Sequence, residues 1–305
     1  MPNGIIIIDK PCEWTSMDVC AKLRGVFHEK RVGHAGTLDP MATGVLPVFV
    51  GRATRAVSLA PENDKEYVAL LKLGVVTNTQ DVWGEVLEQK PVPADAGERL
   101  RALLPRFTGE IDQIPPMYSA VKVGGKKLYE LARKGVEVER KPRKVTIHSL
   151  ELLGEEEWRG EGAPPHRDAL PHGENTFLLR FRCSKGTYIR TLCHDMGQAL
   201  GCGGCMAALR RTGACGFPLE AAHSLEEVLN HPDPAALLRP VDSLFADRPR
   251  LALTAKQSER LSHGGTFSTP AAPGEYRAYG PDGVFLALCK VEEGTLSAIK
   301  SFFEV

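Results

Sequence analysis

Residues 33–47 read Gly-His-Ala-Gly-Thr-Leu-Asp-Pro-Met-Ala-Thr-Gly-Val-Leu-Pro, three glycines and two prolines in fifteen positions. Proline fixes φ and removes a backbone donor, while glycine opens conformations closed to other residues. A segment that mixes the two cannot run on as a helix and is held to an unusual path. Such a path can fix a side chain rigidly, and this one carries His34 and Asp39. The residues alone leave two readings open. One is a structural turn in which Asp39 caps a neighbouring amide, because Asp-Pro turns are common. The other is a loop that presents a carboxylate for chemistry.

The pattern on either side predicts a mixed fold. Ile5–Ile8 is a β-branched run and reads as a buried strand. Ser16 is a candidate N-cap for a helix to about Arg24, with Gly25 as its stop. Residues 31–51 read as a loop leading into a strand at Val45–Val50. Tyr67–Leu73, Val145–Leu153 and Phe177–Cys183 read as strands, and Glu98–Leu104 as a helix stopped by Pro105. Between the last two strands, Gly154–Asn175 is polar and rich in Gly, Pro and His, and reads as an exposed insertion. Thr191–Leu200 has helical spacing with Gly201 as its stop. Ser224–Glu227 and Thr254–Gln257 have the form of capping boxes. Asp247–Arg250 reads as a linker, after which one helix and several short strands, including Phe285–Cys289 and Ser297–Phe302, form a small module. The expected division is 1–247 and 248–305.

Charge narrows the partner. Lys plus Arg is 38 and Asp plus Glu is 38. Neutrality overall argues mildly against a nucleic acid. The distribution argues the other way, because Tyr118–Thr146 holds nine Lys or Arg against three Glu, a local net of +6. A patch of that kind is enough to attract phosphates. Gly124-Gly125-Lys126-Lys127 lacks the first Gly and the Ser or Thr of a P-loop, so a basic hairpin turn is expected. Cys202-Gly-Gly-Cys205 is one pair where a zinc site usually needs two, and reads as a turn. No leader and no stretch of transmembrane length is present, so a cytoplasmic protein with reduced thiols is expected.

Several segments, in order, carry a resemblance: Asp9-Lys10-Pro11 with Trp14-Thr15-Ser16; the loop 33–47; Lys65-Glu66-Tyr67; Thr77-Asn-Thr-Gln-Asp81-Val-Trp-Gly84; Pro115–Lys122; Cys183-Ser-Lys-Gly-Thr-Tyr188-Ile-Arg190; and Leu209-Arg210-Arg211-Thr212-Gly213. Together they resemble the TruB family of bacterial tRNA pseudouridine synthases over about residues 4–245, and the loop is the most specific of them.

The resemblance implies an α+β catalytic domain, with a large mostly antiparallel sheet and the site in a cleft across it, followed by a small PUA-like module. It implies isomerisation of the uridine at position 55 in the T-loop of tRNA to its C-glycoside, with a secondary role as a tRNA folding helper open. Asp39 takes the essential catalytic role, either by direct attack or by proton abstraction from C2′. A carboxylate closed off by a bound base needs a partner charge to stay ionised, and Arg190 is the candidate. The target base must be flipped out and stacked on an aromatic face. Tyr67 matches the family tyrosine with that task and is expected near C5 when its proton leaves. Tyr188, two residues from Arg190, is expected to share its face on a strand. Leu209 supplies an apolar wall, His34 a wedge, and Asp81 order from behind. Lys10, Lys122, Lys126 and Lys127 are candidates for substrate binding, and the basic stretch should contact tRNA phosphates. No metal or organic cofactor is called for, because the isomerisation is redox-neutral and the nucleophile internal.

Three other readings stand beside this one. A tRNA-binding folding helper would not need Asp39, Tyr67 and Arg190 together. Archaeal and eukaryotic relatives work with guide RNA and partner proteins, and usually have a longer PUA domain. The ending Ser301-Phe-Phe-Glu-Val305 favours a stand-alone enzyme, expected to be a monomer. An aspartyl phosphotransferase would place a second Asp where Met41 stands.

Overall fold

The computed structural model describes residues 2–60, 64–154 and 175–303. The expected insertion at 154–175 therefore lies outside the described residues, apart from its two ends. In chain order the first half holds β1 (Gly4–Lys10), α1 (Ser16–Phe27), β2 (Val32–His34), β3 (Thr43–Val50), β4 (Lys65–Leu73), β5 (Val75–Thr77), β6 (Val86–Gln89), α2 (Ala96–Leu103), β7 (Gly109–Gln113), β8 (Lys122–Val123), β9 (Lys126–Lys127) and α3 (Leu128–Ala132). There follow β10 (Arg143–Leu152), β11 (Thr176–Cys183), α4 (Ile189–Ala199), β12 (Gly204–Ala214), β13 (Phe217–Pro218), β14 (His223–Ser224) and α5 (Leu225–Asn230). The chain ends with β15 (Arg250–Ala252), α6 (Ala255–Ser262), β16 (Phe267–Ser268), β17 (Gly274–Tyr279), β18 (Phe285–Glu292) and β19 (Thr295–Ser301).

Ten strands form the main sheet, in the order β14-β1-β3-β12-β4-β11-β10-β7, with β2 on β3 and β13 on β12. Only the β1–β14 and β3–β12 pairs are parallel, so the sheet is mostly antiparallel, as expected. The run of four isoleucines follows from burial on both faces. Ile5 and Ile7 enter one apolar cluster, with Phe49 and Phe245, while Ile6 and Ile8 enter another, with Leu23 and Leu46. Each buried isoleucine contributes about 1.5–3 kcal/mol. The same alternation sends Tyr67, Ala69 and Leu71 of β4 to the face that α4 covers and Val68 and Leu70 to the other. Pro47 sits inside β3 without a broken ladder. On that side β3 pairs β12 at Thr43 and Gly44 and β2 from Val48 onward, and Pro47 lies in the gap.

The second sheet, β15-β17-β18-β19-β16, is built from residues 250–301 and is β-rich as expected. Phe285 and Phe302 stack at 5.3 Å and pack, with Phe245, into the cluster that holds Ile5. No helix among the described residues is long and apolar enough to cross a membrane.

Several element ends differ from the sequence reading. The cap of α1 is Thr15, whose hydroxyl accepts from the Asp18 amide while Asp18 accepts from the Thr15 amide. Gly25 does not stop α1; the helix runs on to Phe27, and His28 takes the left-handed cap conformation (φ 48°). Pro105 ends α2 only by tightening it into a 3-10 turn, Leu104–Phe107, where its missing donor costs little. Thr254 and Gln257 do form a capping box, whereas Ser224 caps α5 alone and Glu227 turns to His223. Gly124 and Gly125, both at positive φ, join β8 to β9 as the expected basic hairpin. Thr15→Ala removes the hydroxyl half of the α1 box and is expected to cost about 1 kcal/mol of stability in urea denaturation; an unchanged midpoint would show that the cap contributes nothing.

Candidate active site

Asp39 stands in the turn between β2 and β3, closed by the Ala42 amide donating to its carbonyl at 3.0 Å. The loop is fastened from two directions. From the N-terminal side, the Ser16 hydroxyl accepts from the Leu38 amide at 2.9 Å, and the Lys10 ammonium donates to the carbonyls of Pro11, Trp14 and Pro40 at 2.8, 2.6 and 3.2 Å. From β12, Arg211 donates through Nε to the Val45 carbonyl at 2.7 Å and through Nη2 to the Gly36 carbonyl at 3.0 Å. The bonds to Gly36 and Val45 bracket Asp39. The glycines and prolines thus set a path that cations at both ends hold in place.

The Asp39 side chain is 37% exposed, which leaves it open to a substrate, whereas its partner Arg190 is only 6% exposed. Arg190 Nε lies 2.9 Å from Oδ2 of Asp39, and Nη2 donates to Oδ1 at 3.3 Å. This two-point contact fixes the plane of the carboxylate as well as its charge. The other N–H groups reach the carbonyls of Thr79 and Tyr118 at 3.0 and 2.9 Å and Oδ2 of Asp81 at 3.4 Å. Every nitrogen of the guanidinium has an acceptor, as a buried cation requires. Asp81 is held in turn by the Thr79 hydroxyl at 2.7 Å and the Trp83 amide at 3.1 Å. Burial pushes the Asp81 carboxyl above its ordinary value, against the Thr79 hydroxyl and the Arg190 charge.

Arg190 owes its place to a close approach further along α4. Gly197 lies so near β12 that a Cβ on it would meet the Gly204 amide at 2.2 Å. Ile189, Leu192 and Met196 then seat α4 on the sheet, and the first turn delivers Arg190 to Asp39. Tyr188 is a correction. It is the N-cap of α4 and does not share a strand with Arg190. Two residues at a helix start leave on different faces, so the argument that put the Tyr188 side chain in the same pocket does not hold. Its backbone instead pairs with the Gln113 amide group at 3.0 and 2.8 Å.

Tyr67 and Leu209 are buried with Leu38 and Met41, next to the loop. Burial raises the Tyr67 phenol above its ordinary value, and the Arg211 guanidinium opposes that rise. His34 ends β2, half-buried, with its Nδ1 atom unpartnered, and burial lowers its pKa. Lys10, expected to meet substrate, is fully buried and its ammonium is committed to three carbonyls. Lys122 and Lys126 are exposed on the β8–β9 hairpin, and Lys127 lies over the Tyr129 ring at 5.4 Å. That hairpin starts four residues beyond Tyr118, whose carbonyl Arg190 holds. Residue chemistry alone gave no role at the site to Arg211, Ser16 or Thr79. All three stand in the motifs, but only their contacts in the fold show what they do.

The large, mostly antiparallel sheet is that of a pseudouridine synthase fold. The fold is similar to that in a crystal structure of a Cbf5-Nop10-Gar1 complex (TM-score 0.67, 25% identity, 98% of this chain and 85% of that one). The chain belongs to the TruB family. Residues 24–189 match the N-terminal domain of the TruB family pseudouridylate synthases, 190–246 the tRNA pseudouridylate synthase B C-terminal domain, and 249–302 the tRNA pseudouridine synthase II C-terminal domain. It is 45% identical to the tRNA pseudouridine synthase B of Ralstonia nicotianae, over 92% of this chain and 87% of that one. It is 44% identical to the tRNA pseudouridine synthase B of Stutzerimonas stutzeri, over 95% and 92%.

Gly44 tests the loop. Its φ is +99°, and a Cβ there would lie 2.1 Å from the Arg211 carbonyl. Gly44→Ala is expected to lose about 1–3 kcal/mol through backbone conformation alone, with more from the clash. A urea midpoint equal to that of the wild type would contradict the packing of β3 on β12.

Proposed function

We propose that this chain converts uridine 55 in the T-loop of tRNA to pseudouridine, acting in the cytoplasm as a single chain. The supporting observation is the Asp39 carboxylate, open to a substrate yet held at two points by a buried Arg190. Isomerisation breaks N1–C1′, turns the base and joins C5 to C1′, so a carboxylate must stay ionised and fixed beside the sugar. Both versions of the chemistry, attack at C1′ and abstraction at C2′, place the same demand on Asp39. The flipped base needs apolar and aromatic walls in place of its lost stacking, and Tyr67 and Leu209 are the residues beside the loop that can provide them. His34 serves as a wedge in the RNA. The lysines of the β8–β9 hairpin meet phosphates of the T-arm, which makes affinity fall with salt. The 248–305 module adds RNA contacts away from the reacting loop. Lys10 takes the part of a brace for the Asp39 turn rather than a phosphate ligand.

The test is conversion of an unmodified T-arm transcript by wild type and by Asp39→Asn, which keeps shape and removes charge. Wild type should form pseudouridine at position 55 only, and Asp39→Asn should bind the transcript and form none. Binding without conversion by both proteins would leave a folding helper or another RNA target.

A further inference from the structure

Arg211 is fully buried, a position where a cation is costly unless its N–H groups find acceptors. Nε and Nη2 do, on Val45 and Gly36, but Nη1 is buried without a partner. An orphaned buried donor in a native structure calls for an explanation. The strand register supplies one. Arg211 of β12 stands directly opposite Tyr67 of β4, so both side chains leave the same face of the sheet, with Cβ atoms about 4.5–5.5 Å apart. Nη1 is also turned toward the Asp39 loop, since a Cβ on Gly36 would lie 3.2 Å from it. The orphan donor thus faces the loop, and the Arg211 guanidinium is near enough to the Tyr67 phenol to oppose its rise.

We propose that Arg211 is a positioning residue for the reaction: two of its nitrogens set the backbone on either side of Asp39, and the third holds the Tyr67 oxygen as that oxygen takes the C5 proton. The proposal rests on the function given above. Once C5 has joined C1′, the C5–H bond breaks and its electron pair forms the C5–C6 double bond. The pair of the C6–N1 double bond moves to N1, which takes a proton from solvent. The C5 proton passes to the Tyr67 phenolate, and the resulting phenol later returns it to solvent, so one proton leaves C5 and one arrives at N1. A guanidinium beside the oxygen favours the phenolate that this step needs. The other groups near Tyr67 and Arg211 are Lys10 of β1, His34 of β2, Asp39 in its loop, Lys65 of β4, Cys183 of β11 and Cys215 after β12. Arg211 alone among them is set opposite Tyr67 on the neighbouring β12 strand.

The experiment compares wild type, Arg211→Gln and Arg211→Lys on a T-arm transcript carrying tritium at uridine C5. RNA affinity, single-turnover tritium release and its pH profile are read together. Arg211→Gln should keep RNA affinity, lose about 100-fold or more in release, and move to higher pH the limb on which the base ionises. Arg211→Lys, with a charge but no fork, should recover part of both. A purely structural Arg211 would lower the melting temperature and leave that limb where it is, and this result would overturn the proposal. If Arg211→Gln does not fold, wild type and Arg211→Lys are compared after fluorotyrosine labelling, with the Tyr67 resonance assigned by Tyr67→Phe. Its titration in fluorine NMR should move to higher pH in Arg211→Lys, and identical titrations would refute the coupling. This readout needs no turnover. A wild type that converts nothing would therefore undo the functional reading while the NMR comparison still decides the role of Arg211.

Discussion

The site depends on one guanidinium. Arg190 lies between two carboxylates, the open Asp39 and the buried Asp81, and fills its remaining N–H groups with the carbonyls of Thr79 and Tyr118. A buried arginine this fully satisfied has one orientation, because any rotation would strand a donor in a region that cannot solvate it. The fixed orientation passes to Asp39 through the two-point contact. Asp81 offsets the charge that Arg190 brings into the interior, and it is the more buried of the two carboxylates. The three segments that meet at Arg190, around Asp39, Thr79–Asp81 and Tyr118, come from distant parts of the chain, so the ion triad forms only when the sheet and α4 are assembled.

A second guanidinium, fully buried, does the corresponding work for the backbone. Arg211 brackets the Asp39 loop from β12, while Lys10 and Ser16 brace it from the N-terminal segment. Loop, neighbouring apolar residues and cation therefore share one rigid frame, as the role proposed for Asp39 requires. The β8–β9 hairpin is built differently. It is short, exposed and basic, and it is linked to the centre through the Tyr118 carbonyl, which suits a surface that meets phosphates.

Much of this was legible in the sequence, for identifiable reasons. The isoleucine run, the alternation along Tyr67–Leu73 and the spacing of Thr191–Leu200 reported burial, and burial is what strands and helices of a core share. The glycines and prolines of 33–47 reported a constrained loop, although choosing a carboxylate loop over a plain Asp-Pro turn needed the resemblance. Other features depended on contacts between distant segments. Lys10 looked like a substrate contact because a lysine in a motif carries a charge, and only the fold shows that its ammonium is spent on carbonyls. The strand expected at Tyr188 is the start of α4 instead, because the helix begins directly after that residue. Thr15 and Ser16 are both good caps by type, and the reciprocal bond to Asp18 decided between them. The role of Arg211 is not legible in the sequence, since nothing local says that an arginine on a strand will be wholly buried.

The catalytic role proposed for Asp39 depends on Arg190 being held from behind by Asp81. The most direct test is the single-turnover rate of pseudouridine formation in Asp81→Asn, measured beside its affinity for the T-arm transcript. The rate is expected to fall while RNA binding stays, because a neutral amide in place of the carboxylate would no longer offset the Arg190 charge that orients Asp39. A rate equal to that of the wild type would contradict it, and would mean that Arg190 orients Asp39 without the buried carboxylate.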